Sequence, residues 1–169
     1  ALRADEPFFD GLGTYERKIT TTSPEAQKYF NQGLRFLFGF NHGGAIRAFT
    51  AAAKADPNCA MAHWGIALAN GPHINFPIVP PPAAAAAWSE LTLARSHASN
   101  ASPVEQALIE ALGKRYANPQ PEDRRPLDEA YAAAMRAVWQ ANPQDPEAGV
   151  LFAEALLDLR PWDQWTADG

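Results

Sequence analysis

The feature that most constrains the fold is a spacing of 34 residues between equivalent positions in the first half of the chain. Residues 26–59 form the best unit, and the same pattern of large and small apolar residues begins again in residues 60–71. The matching pairs are Phe30 with Trp64, Gly33 with Ala67, and Leu34 with Leu68. A repeat of this period is typical of paired α-helices that bury their apolar faces by stacking on neighbouring pairs. The spacing therefore predicts an all-α fold.

The apolar positions of residues 26–59 resemble a tetratricopeptide repeat. That repeat has an aromatic residue, a small residue, an aromatic, an alanine, an aromatic and finally a proline at fixed places. The residues at these places are Tyr29, Gly33, Phe36, Ala45, Phe49 and Pro57, with Ala52 as a further small residue. The resemblance implies a tetratricopeptide-like solenoid, in which small residues let helices approach closely and large residues fill the gaps.

Longer strings of residues are similar to a narrower group, the exported bacterial tetratricopeptide proteins without an assigned activity. The strings are residues 40–42, 59–67, 71–75 and 159–165. Members of that group are longer and carry further histidines downstream, so the resemblance implies that this chain is the N-terminal part of a longer protein. One departure is Gly43-Gly44, where the group would have acidic residues.

Cap and turn signals divide the chain into about seven helices and no strand. Ser23, Pro24 and Glu25 supply a hydroxyl cap, a first-turn proline and an acid at the positive helix end, which together predict a helix start. Residues 102–105 have the sequence of a capping box. The predicted parts are an N-terminal arm at residues 1–22 and a helical domain at residues 23–169. Within the domain follow a proline-rich loop at 71–82, further helices at 83–159 and an aromatic tail at 160–169.

Two local expectations complete this outline. Residues 41–44, which contain two glycines, are expected to form the turn between the first two helices. The last helix is expected to carry its apolar face on Val150, Ala153 and Leu157, which are spaced for one side of a helix.

The register of the repeat predicts an apolar concave groove. Its lining residues are Phe30, Leu34, Leu37, Phe38, Met61, Trp64 and Leu68. A surface this apolar needs a cover, which could be another helix, the arm or a partner chain. Trp162 and Trp165 near the end of the chain either fold back on the domain or contact a partner. The leading hypothesis is therefore a protein interaction or assembly module, whose partner is its own continuation, another copy or another chain.

The alternative hypothesis is a metal site around the third helix. Its candidate ligands are His42, His63, His73 and Cys59, which suit zinc or copper. No compact metal signature is present, so each residue also has a structural interpretation: Cys59 as a small buried residue, His63 as a hydrogen-bonded core histidine and His42 as part of a turn. No cofactor other than copper or zinc is indicated.

Other classes of function find little support in the sequence. The net charge is −5 and the basic residues are scattered, which argues against nucleic-acid binding. No apolar run has the length of about 20 residues that a membrane helix needs. Cys59 and His63 lack an orienting acid and an oxyanion-hole loop, so no enzyme activity is predicted. The first residue is Ala1, which favours a periplasmic or secreted mature chain, with a cytoplasmic location as the alternative.

Overall fold

The computed structural model describes residues 6–163, 165 and 168, and within this part of the chain all regular structure is helical. The all-α fold class predicted from the repeat is thus confirmed. The helices are α1 (Pro24–Phe38), α2 (His42–Ala55), α3 (Ala60–Ala69), α4 (Pro81–His97), α5 (Pro103–Leu112), α6 (Arg125–Ala141) and α7 (Pro146–Asp158), with a 3₁₀ turn at Ala98–Asn100. Residues 1–5 of the predicted arm and residues 164, 166, 167 and 169 of the predicted tail lie outside the described residues.

Side-chain caps fix several of the helix starts, those of α1, α2 and α7 among them. The Ser23 hydroxyl accepts a hydrogen bond from the Ala26 N–H at 3.1 Å, as the sequence predicts. The expected turn at residues 41–44 is shorter than predicted, because Asn41 Oδ1 accepts from the Gly44 N–H at 2.9 Å. Asn41 is therefore the cap of α2, and His42 to Gly44 form the first turn of that helix.

Helix α3 lies at the centre of the fold. All ten of its residues are buried, because it is apolar on every side and therefore needs neighbours on every side. Those neighbours are α1, α2, α4 and α5. The remaining helices pack in chain order, α5 against α6 and α6 against α7. The described chain thus has a continuous core that runs from α1 to α7.

The arm lies along α1 in two legs. The first leg begins beside Tyr29, where Phe8 stacks on the Tyr29 ring with centroids 4.3 Å apart. It then reaches Phe36, whose ring Phe9 contacts. Gly11 and Gly13, both with positive φ near 80°, reverse the direction of the chain. The second leg then returns along α1 and places Ile19 in the core. The arm therefore covers one side of α1.

Candidate functional site

The residues predicted to line a concave groove are mostly core residues. Six of the seven are buried: Phe30, Leu34, Leu37, Met61, Trp64 and Leu68. Phe38 is half-buried, and Tyr15 of the arm contacts its ring edge-on at 5.7 Å. The chain itself supplies the cover: Phe49 of α2 packs on Phe30, and the indole N–H of Trp64 donates to the Leu108 carbonyl of α5. Of the covers considered for the predicted groove, the structure therefore has other helices and the arm at these positions, and no open groove for a partner remains there.

The two tryptophans of the tail are exposed. Trp162 is 69% exposed and Trp165 is 79% exposed, so neither folds back on the domain. Trp162 also has φ of 59°, a left-handed conformation that is uncommon for a bulky residue. Exposed indoles are large apolar surfaces, which makes this end of the chain a candidate contact region.

Helix α7 has apolar residues on two sides, and the buried side is not the one predicted from the sequence. The buried side carries Leu151, Phe152 and Ala155 against α6. Val150, Ala153 and Leu157, predicted to face the core, are exposed, and Leu156 is exposed beside them. These four residues form the outward face of α7. A contiguous exposed apolar face of this kind is a candidate contact surface.

The structure brings His42 and His73 together. Their rings stack with centroids 3.9 Å apart and an angle of 13° between the planes. Burial lowers the pKa of both imidazoles, and the charges of His42 and Arg115 lower the pKa of His73 further. His73 Nδ1 is buried and has no hydrogen-bond partner among the described residues. Phe40, with φ of 57°, and Phe76 flank the stacked pair and remain exposed. The two rings are therefore mostly uncharged at neutral pH and lie close together, but because they are parallel they do not point at a common ligand position.

The other two predicted ligands lie in different surroundings. His63 Nδ1 is 2.7 Å from Glu90 Oε2, and His63 Nε2 is 3.2 Å from the Pro57 carbonyl oxygen. Both ring nitrogens of His63 therefore have protein partners, which leaves neither of them free for a metal ion. Cys59 is buried at the start of α3, where burial raises the pKa of the thiol to about 11. Among the described residues, no group of three or more His, Cys, Asp or Glu side chains could hold a metal ion.

Three polar residues of α1 have a role that was not predicted from the sequence. Gln27, Asn31 and Gln32 hydrogen-bond to the backbone of the arm. Asn31 and Gln32 are buried, although both are amides within a mostly apolar helix. The signal was available in the sequence, because buried positions of a repeat rarely hold two adjacent amides without partners for them.

Comparisons with known proteins give no match for this chain: no family model, no curated protein and no solved structure is similar to it. In the described part of the chain, each helix is too short or too polar to cross a membrane. The function proposed for this chain is therefore based on the positions of its side chains.

Proposed function

We propose that this chain is a tetratricopeptide-like interaction module that self-associates through the outward face of α7. The observation that carries the proposal is the exposed apolar row of Val150, Ala153 and Leu157, with Leu156 beside it and the exposed Trp162 beyond the end of the helix. The 34-residue spacing and the contacts in chain order support stacked helical repeats. Among the described helices, α6 is the one that packs closely against α7, on the side opposite to this row.

A second copy of the chain is the occupant that fits this face best. Two α7 helices related by a two-fold axis perpendicular to them run antiparallel, which sets Val150 of one copy opposite Leu157 of the other. The small Ala153 lies midway between those two positions, so the helices can approach closely at the axis. The row is thus complementary to itself, and the two copies bury the same apolar residues.

The experiment is sedimentation velocity of the purified chain over a range of concentrations. We expect a concentration-dependent dimer, and we expect Leu157→Glu to abolish it because a carboxylate would be buried at the contact. The matched control is Leu93→Glu in α4, since Leu93 is 39% exposed and Leu157 is 40% exposed. A wild-type chain that stays monomeric at every concentration, or an equal loss of dimer in both variants, would contradict the proposal.

A second candidate function is binding of copper or zinc by His42 and His73. The stacked, neutral rings and the unpartnered buried Nδ1 of His73 favour it. One ring would need to rotate before both could bind the same ion, and water or a partner would complete the coordination. Titration with zinc or copper followed by native mass spectrometry tests this site. His73→Ala should remove the ion and His63→Ala should retain it; the reverse result, or no bound ion, would exclude this pair.

A further inference from the structure

A buried amide of α1 holds the main chain of the arm's first leg. Gln32 Oε1 accepts from the Phe9 N–H at 2.9 Å, and Gln32 Nε2 donates to the Pro7 carbonyl at 3.0 Å. Pro7 and Phe9, which both bond to this amide, have one residue between them. A residue in a parallel strand bonds to its neighbour strand with the same spacing. The side-chain amide thus supplies the donor and the acceptor that the N–H and C=O of one residue of a neighbouring strand would supply. With the leg in place, Gln32 is only 3% exposed, so both of its amide hydrogen bonds are shielded from water.

Side chains around Gln32 contact the residues of the leg. Phe8 lies between the Tyr29 ring, at 4.3 Å, and Lys28 Nζ, at 3.7 Å from the Phe8 centroid. Phe9 meets the Phe36 ring edge-on at 5.6 Å. Phe8 and Phe9 both stay exposed on their outer sides. The surface therefore recognises two adjacent aromatic residues in an extended segment.

An ion pair and a hydrogen bond favour an acidic residue at the position before the proline. Arg47 Nε is 3.2 Å from the Glu6 carboxylate, and the Tyr29 hydroxyl donates to the Glu6 carbonyl at 2.8 Å. Arg47 and Lys28 are exposed, so they form a basic rim around the leg. The segment that fits this surface is acidic at its first position and aromatic at its third and fourth.

The two legs are held very differently. The second leg is tied into the fold by buried Ile19 and by the Arg17 ion pairs to Asp145 and Glu147. The first leg lies on the surface and is joined to the second through Gly11 and Gly13, which permit rotation of the backbone. The first leg can therefore leave α1 while the second leg stays in place.

We infer that the α1 surface around Gln32 is a binding site for an extended peptide of the class acidic–proline–aromatic–aromatic, and that residues 6–9 of the arm are its resident, displaceable occupant. The site is separate from the outward face of α7, so either proposal can fail without the other. A partner segment of this class competes with the arm, whose tethering gives it a high effective concentration.

The experiment uses the full chain with Phe8→Ala and Phe9→Ala, which weakens the resident leg and leaves the α1 surface unchanged. The probe is an acetylated and amidated peptide of sequence Glu-Pro-Phe-Phe-Asp, followed by amide chemical shifts in NMR. We expect saturable shifts around Tyr29, Gln32 and Phe36, with at least about tenfold weaker binding to the wild-type chain because its own leg competes. A probe with both phenylalanines replaced by alanine should not bind.

Two further variants in the same background test the recognition. Gln32→Met keeps the length of the side chain and removes both hydrogen bonds, so peptide affinity should fall by about tenfold or more. Should that variant fail to fold, Arg47→Gln tests the same site, because Arg47 is exposed. This substitution should weaken the binding of a probe that begins with Glu more than the binding of one that begins with Gln. Absence of saturable shifts, equal binding by wild type and arm variant, or shifts confined to other surfaces would overturn the inference.

Discussion

The ring of Phe49 in α2 lies so close to the Cα of Gly33 in α1 that a Cβ added at Gly33 would be 2.5 Å from two ring carbons. Phe49 is fully buried, and Gly65 of α3 approaches the same ring from another helix. The ring therefore fills a space that exists only because both neighbours lack a side chain. The repeat pattern predicts a small residue at position 33 and an aromatic at position 49, and this contact is the physical reason.

Gly33→Ala should destabilise the fold. The new methyl group would displace a buried ring, which costs about 1–3 kcal/mol and outweighs the gain of about 1 kcal/mol in helix propensity. Urea unfolding measures the difference. Gly43→Ala is the matched control, because Gly43 also lies in a helix and its nearest neighbour is 3.9 Å from the added Cβ. The control should be neutral or stabilising; equal destabilisation of both variants would show that packing at Phe49 is not the cause.

The buried ion pair of Arg115 and Asp158 should be strongly coupled. Arg115 Nη2 donates to Asp158 Oδ2, and both side chains are almost completely inaccessible to solvent. Arg115→Met or Asp158→Ala leaves one buried charge without its partner, so each should cost about 3–5 kcal/mol. The double variant should cost clearly less than the sum of the two.

Chemical unfolding of the four chains in this cycle gives the coupling energy. The exposed pair of Arg125 and Glu129, 2.8 Å apart, provides the comparison. Arg125→Met should change the unfolding free energy by less than about 1 kcal/mol, because solvent screens that pair. Additive losses at Arg115 and Asp158 would contradict the prediction.

Stability should depend on pH through the His42–His73 pair. Burial lowers the pKa of both imidazoles below the ordinary value of 6.5; Arg115 adds to this effect at His73, and a backbone hydrogen bond at Phe40 opposes it at His42. Near pH 6 the unfolded chain therefore binds more protons than the folded chain does. The stability contributed by the two uncharged imidazoles is present above pH 6.5, and it is lost as the pH falls through the folded-state pKa.

The measurement is the unfolding free energy at about pH 7.5 and about pH 5.5 for wild type and for His73→Gln. Glutamine does not titrate, so the variant should lose less stability on acidification than the wild type. The same loss in both proteins would mean that the stacked pair is not responsible.

Glu105 should be important for docking the arm. Its carboxylate accepts hydrogen bonds from the Thr20 N–H at 2.8 Å, the Thr20 hydroxyl at 2.6 Å and the Ser102 N–H at 2.7 Å. Glu105→Gln replaces one accepting oxygen by a donor, so the variant should lose about 1–3 kcal/mol. Thermal unfolding measures this loss. Glu110→Gln in the same helix, whose carboxylate is exposed, should change little, and a similar effect of both would argue against the role of Glu105.

Helix starts could be predicted because their causes are local. Ser23 caps α1 through the Ala26 N–H, and Glu105 accepts from the Ser102 N–H as the capping box requires. Each of these contacts joins residues three positions apart, so the sequence contains both partners side by side. The predicted turn at residues 41–44 placed the end of α1 and the start of α2 two or three residues too late, since α1 ends at Phe38 and α2 begins at His42. The start of α2 was misplaced because Asn41 caps that helix.

The candidate sites could be predicted only in part. His42 and His73 were both named as candidate ligands, yet their stacking depends on how the loop before α4 crosses the turn between α1 and α2. The amide of Gln32 received no role, because its partners at Pro7 and Phe9 lie more than twenty positions away. Contacts of this separation are decided by packing, and local patterns in one sequence do not reveal them.

The sequence by itself determined that this chain is all-α and where most of its helices begin, because caps, prolines and apolar periodicity act over a few residues. The tertiary structure alone decided which apolar side of α7 faces the core. Leu151 and Val150 are both apolar, and the helix could bury either row, so the choice depends on the surface that α6 presents. It also decided that the predicted groove is filled, because covering Phe30 and Trp64 requires α2 and α5 to return to the same place.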